Sequence, residues 1–271
     1  MTRQQLIDQI KHKKSFLCVG LDTDIEKIPS HLQSRPNGIV EFNRQIIDAT
    51  KDHCVSYKIN TAFYEALGAR GWDALEETCE LIPDTHLKIA DAKRADIGNT
   101  SNYYAKAFFE RLKFDAVTVA PYMGKDSLAP FLSYKDKWTI VLGLTSNPGA
   151  DDFEKAILAN GRPVYEHVLQ TVSTWGNPEN LMFVIGATQA KQLQEIRNII
   201  PDHFLLVPGV GTQGGSLAEV AQYGMNKDCG LLINVSRDII YAGNGEDFAK
   251  SAASKASAYH QEMISHINSI I

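Results

Sequence analysis

Short apolar runs alternate with stretches of helical spacing along this chain, and the alternation comes round eight times. The runs are Phe16–Asp22, Cys54–Asn60, His86–Lys93, Ala116–Pro121, Trp138–Ser146, Leu181–Thr188, His203–Gly209 and Gly230–Arg237. They are nearly continuous in apolar residues, as strands covered on both faces must be. Between them, Ile39–Lys51, Asn102–Leu112, Gln189–Ile200 and Ser216–Tyr223 show helical spacing, and Asp247–Ile267 closes the chain as a longer helical segment. Eight alternations in 271 residues predict an α/β protein of the (β/α)8 TIM-barrel type. A doubly wound open sheet shares the alternation, but no GxGxxG follows the first run.

Barrels reach this length as one domain, so residues 1–271 are expected to form a single barrel domain. A short amphipathic helix is expected in Met1–Lys14, and a long irregular loop, about 147–163, behind the fifth strand. Loops of that length are usually lids, binding loops or insertions. A net charge of -5 argues against a nucleic-acid platform but leaves room for a local anion site. No apolar run approaches membrane-spanning length, and the N-terminus lacks the apolar core and cleavage site of a secretory signal. Cys18, Cys54, Cys79 and Cys229 are scattered without a CxxC pair, which fits a reduced, cytoplasmic protein. The histidines show neither HxxxH nor HExxH spacing, so no metal site is expected.

Barrel enzymes build their sites at the C-terminal ends of the strands. Here those ends carry Asp22, Lys58, Asp91 with Lys93, Thr145-Ser146-Asn147, a glycine-rich turn at 208–215, and Asn234-Val-Ser236-Arg237. Strand alternation puts Leu87, Ile89, Asp91 and Lys93 on one face. If that face is the interior, an acid and an amine emerge together at the mouth; the opposite face would bury both charges against helices, at a cost. Asp96 follows in the next turn. By the same count Asp22 shares a face with Phe16, Cys18 and Gly20.

The turns after strands seven and eight suggest a phosphate, which barrels often hold there. Gly211, Gly214 and Gly215 let backbone N–H groups approach an anion, Gln213 offers an amide N–H, and Arg237 offers a bidentate fork. Each feature also has a structural explanation. Asp91 and Lys93 would make an ordinary ion pair, Lys58 a solvated strand-end lysine, Asp22 a cap or turn residue, and Ser146-Asn147-Pro148-Gly149 a common turn.

Taken in order, Val19-Gly-Leu-Asp22, Tyr57-Lys58, Asp91-Ala-Lys93-Arg-Ala-Asp96-Ile-Gly-Asn-Thr100, Thr145-Ser-Asn-Pro-Gly149, Pro208-Gly-Val-Gly-Thr-Gln-Gly-Gly215 and Ser236-Arg237 resemble the orotidine 5'-phosphate decarboxylase family, in its longer bacterial subgroup. The resemblance implies conversion of a nucleotide monophosphate, orotidine 5'-phosphate, to uridine 5'-phosphate and CO2 without a cofactor, the last step of UMP biosynthesis. It implies a charge array of Lys58, Asp91, Lys93 and Asp96, with Lys93 as proton donor to C6 of the pyrimidine. It implies a homodimer in which Asp96 and Thr100 cross the interface. Asp22 would contact the ribose and Ser146 the pyrimidine, while Gln213, Gly214 and Arg237 would hold the phosphate end. Ala120 departs from the pattern, a small residue where a polar one could sit.

Two other functions share these features. A related sugar-phosphate decarboxylase or aldolase acting through an enediolate needs Mg2+ and an acidic ligand before the strand-three motif, where this chain has Leu87-Lys-Ile-Ala90. A catalytically silent phosphate-binding barrel would be expected to lose part of the charge array, and this chain keeps every member.

Overall fold

The structure is a computed structural model and describes residues 1–189, 192–211 and 214–270. Its strands are β1 (Leu17–Gly20), β2 (Ser56–Asn60), β3 (Leu87–Arg94), β4 (Ala116–Val119), β5 (Trp138–Leu144), β6 (Leu181–Ile185), β7 (Phe204–Pro208) and β8 (Leu231–Val235). They pair in parallel in chain order and close through β1 on β8, giving the (β/α)8 barrel that the alternation predicts. Most strand residues are buried, because the barrel interior fills one face and the ring of helices covers the other.

The helices Gly38–Thr50, Ala69–Leu81, Gly98–Lys106, Lys125–Leu132, Val164–Val172, Gln192–Ile199 and Leu217–Gly224 form that ring, and Phe248–Ile267 completes it. The helix after β3 differs from the expected Asn102–Leu112. It starts at Gly98 and ends at Lys106, where a π-turn, Ala107–Arg111, takes over. Its first residues, Gly98, Asn99 and Thr100, are exposed and carry no apolar side chain, so apolar periodicity could not mark the start.

The helix Arg3–Lys13 lies under the barrel, at the strand N-termini. Thr2 caps it by a reciprocal bond with Gln5, and Leu6, Ile7 and Ile10 are buried. The Arg3 guanidinium donates to the Pro178 carbonyl at 3.1 Å and pairs with Asp228 at 2.9 Å, while Trp138, which opens β5, donates its indole N–H to the Met1 carbonyl at 2.8 Å. This end holds structure. The polar strand ends gather at the opposite mouth.

One irregularity shapes that mouth. Between β3 and β4 the register passes from Ala90↔Val117 to Arg94↔Val119, so four steps on β3 face two on β4. Within this bulge Lys93 has φ 48°, the left-handed region that a side-chain-bearing residue enters at a cost. Lys93 therefore does not reach the mouth by simple alternation from Leu87, Ile89 and Asp91. A bulge re-aims it.

Candidate active site

Beyond the end of β1, Asp22 turns its carboxylate toward Lys58 of β2, with Nζ to Oδ1 at 3.4 Å. Lys58 Nζ also pairs with Asp91 Oδ2 of β3 at 3.1 Å. The other oxygen of Asp91 accepts from Lys93 Nζ at 2.6 Å. Asp22, Lys58, Asp91 and Lys93 thus form one unbroken chain of alternating sign across three neighbouring strand ends. Thr118 of β4 closes its far side. Its hydroxyl donates to Asp91 Oδ1 at 2.9 Å and accepts the Lys93 backbone N–H at 3.0 Å, which pins the bulge. Thr118 is not among the residues singled out from sequence. Its signal was the alternation Val117-Thr-Val119, which turns a hydroxyl toward Asp91.

The electrostatics follow from burial. The Lys58 side chain is only 5% exposed. Burial alone would push its ammonium toward the neutral form, but the carboxylates of Asp22 and Asp91 reverse that and raise its pKa above the ordinary lysine value. Burial would likewise raise Asp91, yet Lys58 and Lys93 hold its carboxyl well below the usual carboxylate range. Lys58 and Asp91 are consequently both charged at neutral pH. The Lys93 side chain is half-exposed, at 49%, and its ammonium faces open space on one side and Asp91 on the other.

These groups line a cavity of about 490 Å³ at the barrel mouth. Its floor is apolar, with Leu142, Val184 and Leu206 from β5, β6 and β7. Ser146 enters from the end of β5, and its Oγ is buried without a hydrogen-bond partner among the described residues. A buried hydroxyl without a partner is costly unless something else satisfies it. Asn60, Asn234 and Glu154 also line the cavity. Asn234 is among the polar strand ends named from sequence; Asn60 shares a strand face with Lys58, so alternation could have found it, whereas Glu154 lies in the long loop, where no periodicity points to it.

The opposite wall is formed by Gly209, Val210, Ser236 and Arg237. Arg237 is exposed and pairs with no carboxylate among the described residues. The glycine turn differs from expectation. The N–H groups of Gly211, Gly214 and Gly215 donate to the carbonyls of Gly215, Gly211 and Gly209, at 3.2, 2.9 and 3.1 Å, so they tighten the loop instead of pointing at an anion. Gly214, with φ 86°, serves the turn and does not line the cavity. Gln213 lies outside the described residues.

Asp96 and Thr100 do not line the cavity of their own chain. Asp96 Oδ1 accepts the Ile97 N–H at 2.7 Å, ahead of the helix Gly98–Lys106, and Thr100 is exposed. Among the described residues no group of His, Cys, Asp and Glu has the makings of a metal centre, and no helix is long and apolar enough to cross a membrane.

Residues 15–252 match the model of the Orotidine 5'-phosphate decarboxylase / HUMPS family. The chain belongs to that family. The decarboxylase of Flavobacterium johnsoniae is 57% identical over 272 residues, covering 99% of each chain, and that of Bacteroides fragilis is 54% identical over 275 residues, covering all of both. Among solved structures, a putative orotidine-monophosphate decarboxylase from Toxoplasma gondii superposes with a TM-score of 0.89 at 36% identity, covering 98% of this chain and 96% of its own. The family match encloses every cavity residue named above, from Asp22 to Arg237.

Proposed function

We propose that this chain decarboxylates orotidine 5'-phosphate to uridine 5'-phosphate and CO2 in pyrimidine biosynthesis. It acts in the cytoplasm as a homodimer, with residues 1–271 working as one barrel unit and no cofactor. The carrying observation is Asp91, held between Lys58 and Lys93 at the cavity wall.

The chemistry asks for such an arrangement. Breaking the bond from C6 to the carboxylate leaves the electron pair on C6 as CO2 departs, and the ring offers it little delocalisation. Fixed charges aimed at the developing anion then provide most of the assistance. Lys93, an ammonium open to the cavity, stabilises the pair on C6 and passes a proton to it, ending as an amine that solvent reprotonates. Asp91 faces the substrate carboxylate, and their repulsion is relieved as CO2 leaves. Lys58 keeps Asp91 ionised and fixed in place. Asp96 of a second protomer completes the array, with Thr100 beside it; that neither faces its own cavity supports this assignment.

The remaining contacts hold the nucleotide. Asp22 binds the ribose, and the unsatisfied Ser146 hydroxyl binds the pyrimidine edge. Arg237 and the side-chain amide of Gln213 bind the 5'-phosphate. Phosphate binding remote from C6 supplies energy for closing the site over the reacting carbon.

The test is direct. Purified protein is mixed with orotidine 5'-phosphate and EDTA while the ultraviolet absorbance of the substrate is followed. Loss of absorbance with stoichiometric uridine 5'-phosphate and CO2 is expected. No turnover, or turnover of sugar phosphates that EDTA abolishes, would replace this function with that of the Mg2+-dependent relatives.

A further inference from the structure

β1 ends at Gly20, yet the chain stays ordered through Asp22, whose carboxylate belongs to the charge array. What holds this stretch is a row of side-chain hydroxyls. Ser236 Oγ donates to the Gly20 carbonyl at 3.2 Å, the Tyr64 hydroxyl to the Leu21 carbonyl at 3.2 Å, and the Tyr241 hydroxyl to the Asp22 carbonyl at 3.0 Å. Three successive carbonyls that run out of strand partners are thus each caught by a different hydroxyl.

Tyr64 is itself fixed from behind. Its hydroxyl accepts from Asn43 Nδ2 at 2.8 Å, and the same amide donates to Thr78 Oγ1 at 2.9 Å and accepts from Thr23 Oγ1 at 2.6 Å. Asn43, Thr23 and Thr78 are buried, and a fully satisfied buried network of this kind is rigid.

Tyr241 differs because of what it is attached to. It directly follows the short helix Arg237–Ile240 and donates its backbone N–H to the Arg237 carbonyl at 3.2 Å. Its ring stacks on Phe42, with centroids 6.1 Å apart at 25°. Its hydroxyl both donates to the Asp22 carbonyl and accepts the Asp24 N–H at 2.8 Å, bracketing Asp22 on both sides. One rigid side chain therefore spans from the backbone of the cavity's arginine to the backbone of its first aspartate.

We propose that Tyr241 is a positioning residue that sets Asp22, and through it Lys58, relative to Arg237, so that the phosphate end and the ribose end of the cavity are held at one fixed spacing. The inference rests on the decarboxylase function proposed above. Tyr241 does not line the cavity, so its effect reaches a nucleotide only through Asp22.

The test is a double-mutant cycle on uridine 5'-phosphate affinity, with inorganic phosphate as a second probe and thermal melting as a fold control. Tyr241→Phe keeps the ring on Phe42 and removes only the hydroxyl. It is expected to weaken uridine 5'-phosphate about tenfold, roughly 1.4 kcal/mol, while leaving inhibition by inorganic phosphate unchanged. In an Asp22→Ala background the same substitution is expected to cost less than about twofold, because the residue it acts through is gone. Equal losses in the two backgrounds, or no loss in the wild type, would overturn the inference. Failure of the wild-type protein to bind uridine 5'-phosphate at all would instead strike the proposed function.

Discussion

Lys58 shows how the site holds its charges. An ammonium this buried is tolerable only between carboxylates, and its two partners are Asp22 and Asp91. Asp91→Asn would leave Lys58 with Asp22 alone, at the longer distance of 3.4 Å. Breaking such a buried pair typically costs about 3–5 kcal/mol. A urea titration at neutral pH is expected to show a loss near the lower end, since Asp22 remains, together with near-complete loss of turnover. Arg237 is the opposite case. It is exposed and without a carboxylate partner among the described residues, so Arg237→Ala should leave the urea midpoint within about 0.5 kcal/mol of wild type. It should still weaken uridine 5'-phosphate by roughly 10- to 100-fold, the worth of a charge-assisted bidentate contact. Unchanged affinity by calorimetry would move the phosphate elsewhere.

The strands are where sequence and structure agree best. Continuous apolar runs such as Leu181–Ile185 and Leu231–Val235 leave a buried strand little choice, and all eight were legible to within a few residues. Residues on regular strand faces followed, including Lys58 and Asp91. Lys93 reached the predicted place by an unpredicted route, because a two-residue bulge and a positive φ at lysine leave no periodic mark. The glycine turn misled for a related reason: glycines announce an unusual backbone but not which way its N–H groups point. A test at this scale lies between β5 and β6. A Cβ built on Gly186 would fall 2.0 Å from Ser146 Oγ, so Gly186→Ala must drive that hydroxyl from its position. Overpacking of this kind costs about 1–3 kcal/mol. Substrate KM is expected to rise at least about fivefold, an energy within that range. A normal KM would show that Ser146 touches nothing of importance.

The whole barrel separates a charged mouth from a base where histidines stay neutral. At the base, Lys13 Nζ donates to His86 Nε2 at 2.8 Å, and both ring nitrogens of buried His203 lack partners among the described residues. Burial first, then nearby cations, pushes both imidazoles down to about 4, Lys13 acting on His86 and Arg197 with Arg3 on His203. In the unfolded chain each titrates near 6.5. Between those values the unfolded state holds more protons, so stability falls as pH drops from about 6.5 toward 4 and gains no further loss from these groups below that. Stability from urea titrations across this window is expected to show an uptake approaching two protons on unfolding, reduced by about one in His203→Gln. An unaltered slope in that variant would mean His203 is already protonated in the fold. Asp91, held well below the carboxylate range, stays ionised through the same window, so acid should weaken the base of the barrel before it discharges the array. That array is the central claim, and Lys93 is its active member. The decisive measurement is kcat for orotidine 5'-phosphate in Lys93→Ala alongside its affinity for uridine 5'-phosphate. Turnover should fall by at least about a thousandfold with product affinity kept within about tenfold; near-normal turnover would contradict the account.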